Sequence, residues 1–478
     1  MEYDVIIGME VHIELSTEKK LFCSCKNEFT YEPNKNVCPV CLGLPGSLPV
    51  INQQAIEYFI KLAKALECKI NLFSKFDRKH YFYPDMPKNY QISQYDLPLA
   101  VAGKLFLPNF NKYVHIRRIH LEEDTGKSVH IGGENLREAK YTLLNYNRAG
   151  VPLVEIVTEP VIHSVDEAVE FLQLLRLTAL YLGISDVKME EGSLRCDVNV
   201  SLKPKNSEVL GKKVEIKNIN SFRFLARALN YEIERQKNLL RQGKEIIQET
   251  RGWDEKTQTT YSMRTKEEAH DYRYFPEPDL LPIILDQQYI DSVKIQTTPS
   301  EYYKKYVALG LTHEEITFLL ENPNINSLFN TLISNQSDPR PTVKFLKTDF
   351  AYLFNNNQIN WQKLSIKNIL EYIKLVEKKA IDVVNSRKYL VEILHNHINL
   401  IEFLKANNLL IQEDSDLAEK IVEKVISDNP QAVEDYLQGK EKALGFLVGQ
   451  AMKELKGKAK PNTVSELIVK KLKAQVKS

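Results

Sequence analysis

Nowhere in the 478 residues do about 18 apolar residues run together, and Met1 to Gly8 carries no basic stretch ahead of an apolar one, so neither a membrane-spanning helix nor a secretory leader is expected. Charge of one sign is missing too. Lys and Arg number 64 against 63 Asp and Glu, and a formal net charge of +1 excludes a protein that coats nucleic acid nonspecifically, leaving room only for a locally basic face. Cysteine is scarce, with six residues in all, too few for a disulfide scaffold in so long a chain. Standard nucleotide loops are absent: Gly126-Lys127-Ser128 imitates the end of a phosphate-binding loop, but Leu121 stands where that motif needs its first glycine. A nucleophile elbow and a glycine-serine-rich amidase segment are lacking as well, so the chain alone is not expected to hydrolyse glutamine. What these absences leave is a soluble, cytoplasmic, multidomain protein with enough apolar sequence for a large core.

What is present is unevenly spread. Residues 1 to 293 combine short alternating runs with a few helical patterns and read as a mixed α+β domain. Ser164, with Glu167 three residues on, predicts a capping box opening a helix that buries Ala168, Phe171, Leu172, Leu175, Ala179 and Leu182 and stops at Gly183. A second helix is predicted from Asn220 or Ser221, with Phe222, Leu225, Ala226, Leu229 and Ile233 on one side. After Pro276-Glu-Pro-Asp-Leu-Leu-Pro282 and the strand-like Ile283 to Leu285, glycine-poor helical patterns take over. The expected division is a sheet-bearing domain over 1–293, a helical domain over 294–405 and a helical tail over 406–478.

Four of the six cysteines crowd into Cys23-Ser-Cys25 and Cys38-Pro-Val-Cys41, twelve residues apart. Two close pairs of soft thiolates suit a tetrahedral zinc ion in a closed, structural site that stiffens the insert 23–41 after the first strand. The competing readings are four unrelated buried thiols and an iron–sulfur cluster. Cys68 and Cys196 fall outside the group.

Side chains on a strand alternate between faces, so Glu10, His12 and Glu14 share one face of the first strand while Val11, Ile13 and Leu15 take the other. The pattern recurs in Glu190 to Leu202, where Arg195, Asp197, Asn199 and Ser201 oppose Cys196, Val198, Val200 and Leu202, and in Val214 to Asn220, where Glu215 and Lys217 alternate with Val214 and Ile216. Any one such strand is equally well a solvated sheet face. Three of them, with the acidic Leu121-Glu-Glu-Asp-Thr-Gly-Lys127, suggest a polar floor where carboxylates and a histidine hold Mg²⁺ against the oxygens of ATP. Arg78, Lys79, Lys88, Arg148, Arg195 and Lys217 are the candidate phosphate partners.

With those residues in hand, the sequence resembles the family of aminoacyl-tRNA amidotransferase B subunits over essentially its whole length. The family-like blocks are Gly8 to Leu15, the four cysteines with Leu44-Pro-Gly-Ser-Leu-Pro49, Arg78 to Gln94, His120 to Lys127, Asn145 to Pro152, Glu190 to Ser201, Glu215 to Ser221 and Met263 to Leu280. The resemblance implies a cradle-shaped catalytic domain akin to glutamine synthetase, then a helical domain and a mobile helical tail that contacts tRNA. It implies that ATP phosphorylates the side-chain carboxylate of Glu-tRNA(Gln) or Asp-tRNA(Asn), and that ammonia displaces the phosphate. In the heterotrimer so implied, ammonia would come from an amidase A subunit, clamped to the B subunit by a small C subunit. Carried over, Glu10, His12 and Glu123 match Mg²⁺ ligands, and Cys23, Cys25, Cys38 and Cys41 match zinc ligands. Asp197, Glu191 and Glu215 follow as further catalytic candidates.

Ala443 to Lys453 fits the family's tail, whereas Gly457-Lys-Ala-Lys-Pro461 departs from it at Lys460, where Asn or Asp is usual. From Lys440 to Ser478 ten lysines face three glutamates, a net of +7 in a chain of +1. Thr463 and Glu466 predict a capped helix there, with Val464, Leu467, Ile468 and Leu472 as its apolar stripe. Two other functions compete. An ATP-dependent amidoligase with a non-tRNA substrate predicts activity without tRNA, and a zinc-containing RNA-binding module predicts no ATP consumption.

Overall fold

The computed structural model describes residues 2–133, 139–205, 207, 209–265, 272–395, 398–411, 415–438, 440–455 and 461–475. Lys460 and its turn, and the stretch 266–271 of one family-like block, lie outside the described residues. The chain divides into two compact units, Met1–Lys305 and Tyr306–Ser478. Among the described residues, no helix is long and apolar enough to cross a membrane.

The first unit mixes sheet and helix. Its largest sheet has nine strands among the described residues, in chain order β1 (Tyr3–Glu14), β2 (Lys69–Ile70), β3 (Ala100–Leu107), β4 (Lys112–Glu123), β5 (Pro152–Thr158), β6 (Leu194–Pro204), β7 (Val214–Ile219), β8 (Glu249–Asp254) and β9 (Thr259–Thr265). Across the sheet they run β9-β8-β7-β6-β1-β5-β4-β3-β2, antiparallel except where β7 meets β8. β1 thus lies inside the sheet, and its alternation is the one the sequence predicts: Val11, Ile13 and Leu15 are buried while Glu10, His12 and Glu14 take the other face.

Three helices cover the apolar face: α1 (Gln53–Ala65), α2 (Val165–Tyr181) and α3 (Phe222–Arg241). Phe59 and Leu62, Phe171 and Leu175, and Leu225 and Leu229 join Val11, Ile13 and Val198 in one core. Truncating one of these to alanine, Phe171 for example, is expected to cost about 3–5 kcal/mol. α2 starts as predicted, with Ser164 Oγ accepting from Glu167 N at 3.1 Å. The reciprocal bond is replaced, because the Glu167 carboxylate accepts from His163 N at 2.9 Å and Lys112 Nζ at 2.6 Å. The buried face of α3 is turned from the predicted one toward Phe224, Ala228, Glu232 and Gln236. Glu232 tolerates burial because Arg235 Nη2 and Gln236 Nε2 donate to it at 2.6 and 2.9 Å.

The second unit is helical apart from isolated bridges among its described residues. Within it, Ala418, Val422 and Val425 pack with Leu447, Ala451, Val464, Ile468 and Leu472. The last helix, Pro461–Gln475, begins earlier than predicted, so Thr463 sits inside its first turn and is not the cap. Proline suits that opening position because the first turn leaves its N–H groups unbonded anyway. The stripe of Val464, Ile468 and Leu472 points inward, Leu467 is half-buried, and Lys470 and Lys473 are exposed.

Candidate functional site

Strand register builds the site. On β1, His12 stands opposite Arg195 of β6 and Glu155 of β5, and Glu155 in turn stands opposite His120 of β4. Pairing of this kind puts all four side chains in one row on the polar face. Glu10 lies one step along, opposite Asp197, and Glu122 follows His120 on the same side of β4. His12 Nε2 is 3.4 Å from Glu155 Oε2, 3.7 Å from Glu122 Oε1 and 3.8 Å from Glu10 Oε1. His120 Nε2 is 3.4 Å from the same Glu155 oxygen and 3.5 Å from Glu122 Oε2. Exposure grades across the cluster, from 32% for the Glu10 side chain and 16% for His12 down to 2% for His120.

Burial and charge compete here. Burial pushes Glu10 up to about 7, helped by the nearby Glu155. For the histidines burial opposes charging but the carboxylates outweigh it, leaving His12 raised and His120 at about 9. Burial likewise opposes ionisation of Glu155, yet the two imidazoles hold it well below the usual carboxylate range. Beside them the Lys79 ammonium, kept charged against burial by Glu122 first and then by the Tyr274 hydroxyl and Glu155, lies 5.0 Å over the Tyr272 ring. Two histidines and three carboxylates gathered in this way can hold divalent cations.

A second group continues the β1 face. Arg195 Nη2 donates to Asp124 Oδ2 at 2.6 Å and lies 3.6 Å from Glu14, and Arg148 Nε reaches Asp124 at 3.3 Å. Burial, then Asp124, pushes Glu14 up to about 9. Lys217 pairs with Asp197 and lies 3.2 Å from Glu215, whose other oxygen accepts from Thr250 Oγ1. Arg78 is not part of that group: it is held by Glu277 and Asp279 and stacks over Tyr90.

Two catalytic candidates stand elsewhere, and one of them takes the phosphate candidate Lys88 with it. Glu123, expected beside Glu10 and His12, falls on the opposite face of β4, where its carboxylate pairs with Lys88 and accepts from Ile92 N at 2.9 Å. Both line a cavity of about 200 Å³ that also touches Cys23, Cys41 and Tyr90. Strand parity is the reason: His120 and Glu122 share a face, and the next residue turns away. Glu191 is exposed in the turn before β6, bonded to Lys188 at 2.8 Å. Residues the sequence did not single out are Glu122, Glu155 and His120. A signal existed, since a lone glutamate in the apolar run Pro152-Leu-Val-Glu-Ile-Val-Thr158 needs a partner to be buried.

Gly126 opens a strand, Lys127–Ile131, and packs so tightly that a Cβ there would stand 2.9 Å from the Tyr146 ring. No helix N-terminus follows it to cradle a phosphate. The four clustered cysteines do converge. A tetrahedral zinc–thiolate site with bonds of about 2.3 Å puts its sulfurs about 3.8 Å apart, and these four ligand atoms lie within 4.8 Å of one another. Cys41 is held down to about 5, chiefly by a hydrogen bond with Cys23. Cys38 N donates to its sulfur at 3.1 Å, and the buried Lys20 ammonium stands 3.8 Å away. The donor set fits a metal such as zinc.

Sequence comparison gives two family matches, the GatB/GatE catalytic domain over residues 5–291 and the GatB domain over residues 327–472. A protein of Carboxydothermus hydrogenoformans, named as the B subunit of aspartyl/glutamyl-tRNA(Asn/Gln) amidotransferase, is 46% identical over 478 residues, spanning 98% of this chain and 99% of its own. Proteins of the same name from Moorella thermoacetica and Persephonella marina are each 44% identical over 99% of this chain and 100% of their own.

Proposed function

This chain belongs to the GatB family of amidotransferase B subunits, and from that premise we propose that it uses ATP to activate the side-chain carboxylate of Glu-tRNA(Gln), Asp-tRNA(Asn) or both for amidation. The carboxylate oxygen attacks the γ-phosphorus in line and ADP departs; ammonia then attacks the acyl carbon and phosphate leaves, giving the amide. No base is needed for the first step, because the carboxylate is already ionised near neutral pH.

The observation that carries this reading is the polar floor, where Glu10, His12 and Glu155 converge beside Lys79 on the open side of the sheet. Those three residues would hold Mg²⁺, with Glu155 in the place expected of Glu123, and the ion would neutralise and align the phosphate oxygens. Lys79, Arg195 and Lys217 stand along the floor to meet phosphate or the tRNA terminus, the last two steadied by carboxylates there, while Lys88 pairs with Glu123 on the other face of β4 and Arg148 with Asp124. Asp197 and Glu215 orient Lys217. The sheet serves as the nucleotide's platform, in keeping with the glutamine synthetase-like cradle expected from the family resemblance. The four cysteines hold zinc and stiffen the loop. The tail from about residue 406 contacts tRNA, an amidase A subunit supplies ammonia, and a small C subunit joins the two.

The test is co-expression with candidate A and C subunits, followed by assay with each misacylated tRNA in turn. Release of ADP and amide formation that both require aminoacyl-tRNA are expected. ATP turnover that ignores tRNA would support a non-tRNA amidoligase instead, and no ATP turnover under any condition would end the proposal.

A further inference from the structure

The floor contains two ligand triads, not one: Glu10, His12 and Glu155 on its open side, and His120, Glu122 and Glu155 beneath. We propose that it binds two divalent cations side by side, bridged by Glu122 and Glu155, with His120 as the ligand that defines the inner position.

The bridging geometry is the first support. Glu122 turns Oε1 toward His12 and Oε2 toward His120, one oxygen to each side, while a single Glu155 oxygen lies 3.4 Å from both imidazoles. A carboxylate presenting separate oxygens to two imidazoles spans the separation of about 3.5–4 Å found in two-metal centres. The spacing agrees. Hydrogen bonds between nitrogen and oxygen cluster at about 2.7–3.2 Å, whereas two ligands on one cation at about 2.1–2.2 Å, subtending 90–110°, lie about 3.0–3.6 Å apart. Of the four contacts from Glu122 and Glu155 to the histidines, the three at 3.4–3.5 Å lie within that range and the one at 3.7 Å just beyond it, and all four lie outside the hydrogen-bond range.

His120 itself is the second, independent support. It is 2% exposed, its Nδ1 has no hydrogen-bond partner, and its Nε2 is aimed at the two bridging carboxylates. The unpartnered atom is Nδ1, while Nε2 meets Glu122 and Glu155 at 3.5 and 3.4 Å, the spacing of ligands that share one cation, so a cation at Nε2 would take the place of those two ion pairs. Ser93 Oγ donates to Glu122 Oε2 at 2.9 Å and fixes that carboxylate from behind. Imidazole donors favour Mn²⁺ over Mg²⁺, so Mn²⁺ is the probe.

The inference rests on the proposed function only in taking this floor as a cation site. Mn²⁺ binding to the full-length chain, loaded with zinc at its thiolates, should be counted by equilibrium dialysis and read by electron paramagnetic resonance. Expected are two Mn²⁺ per chain with the halved hyperfine spacing of a coupled pair, and loss of one ion and of the coupling in His120→Gln. In Glu10→Gln the open position should weaken while the inner ion is retained. One uncoupled Mn²⁺ in the unaltered chain overturns this inference and leaves the single-ion floor standing, whereas no Mn²⁺ at all removes both. If His120→Gln does not fold, the stoichiometry and coupling in the unaltered chain still decide.

Discussion

Replacing Glu155 by glutamine removes the one carboxylate oxygen that both imidazoles face. In the chain freed of divalent cations, His120 keeps its proton up to about pH 9, against an ordinary value of 6.5. A folded-state value above the unfolded one contributes stability that is complete below about pH 6.5 and is lost as pH rises toward 9. The window spans about 2.5 units, equivalent to about 3 kcal/mol. Glu155→Gln should erase most of that pH dependence, because burial, the largest influence on His120, then loses its leading opponent. It should also lower stability at neutral pH by about 3–5 kcal/mol, the usual effect of breaking a buried charged pair from one side. The assay uses the two tryptophans. Trp253 is buried in the first unit and Trp361 lies in the second, so a Trp361→Phe background leaves Trp253 to report urea unfolding of the sheet. Titrations at pH 6.5 and 9 should show the unaltered chain losing stability at the higher pH and the variant starting low and changing little. Equal midpoints for the two proteins at pH 6.5, with the same drop at pH 9, would mean that the imidazoles do not depend on Glu155.

Glu122→Gln and His12→Ala should each cut tRNA-dependent ATP hydrolysis by about 10²–10³-fold, with the partner's glutaminase activity retained, while Glu123→Gln should cost markedly less; rapid-quench assays that rank Glu123→Gln with the other two would reverse the assignment of faces on β4. Cys38→Ser should lose zinc by elemental analysis and destabilise the first unit, a result excluded if the unaltered chain purifies with no zinc or with iron–sulfur absorbance. Removing residues 406–478 should weaken tRNA binding and flatten its dependence on salt, since the +7 stretch that releases counterions is gone; identical salt slopes for both lengths would show that the tail does not meet tRNA.

Period and spacing were legible wherever one residue type marks its own place. The alternation in β1 and the convergence of the paired cysteines are both readable from sequence alone. Glu123 shows what is not legible: without knowing where β4 ends, Glu122 and Glu123 are interchangeable, and only register assigns one to His12 and the other to Lys88. His120 and Glu155 become neighbours through pairing of β4 with β5, which no local pattern records. In α3 the polar Glu232 broke the apolar stripe used to orient the helix, although its partner Arg235 lies only three residues on. At the last helix a threonine with a glutamate three residues later resembled a cap, but the proline ahead of it had already opened the turn.

Because Arg195, His12, Glu155 and His120 form their row in an order unrelated to their order along the chain, the site must assemble late during synthesis. β1 leaves the ribosome first, yet neither of its neighbours exists until the chain has been made through Thr158 of β5 and Pro204 of β6. Closing loops that long is slow. Through that interval β1 waits with both edges unpaired, the condition in which a strand associates with the wrong chain. Its own Glu10, His12 and Glu14 then act as guards, their charge discouraging the stacking of one nascent strand on another, so that the side chains later gathered on the floor would first protect the strand that carries them.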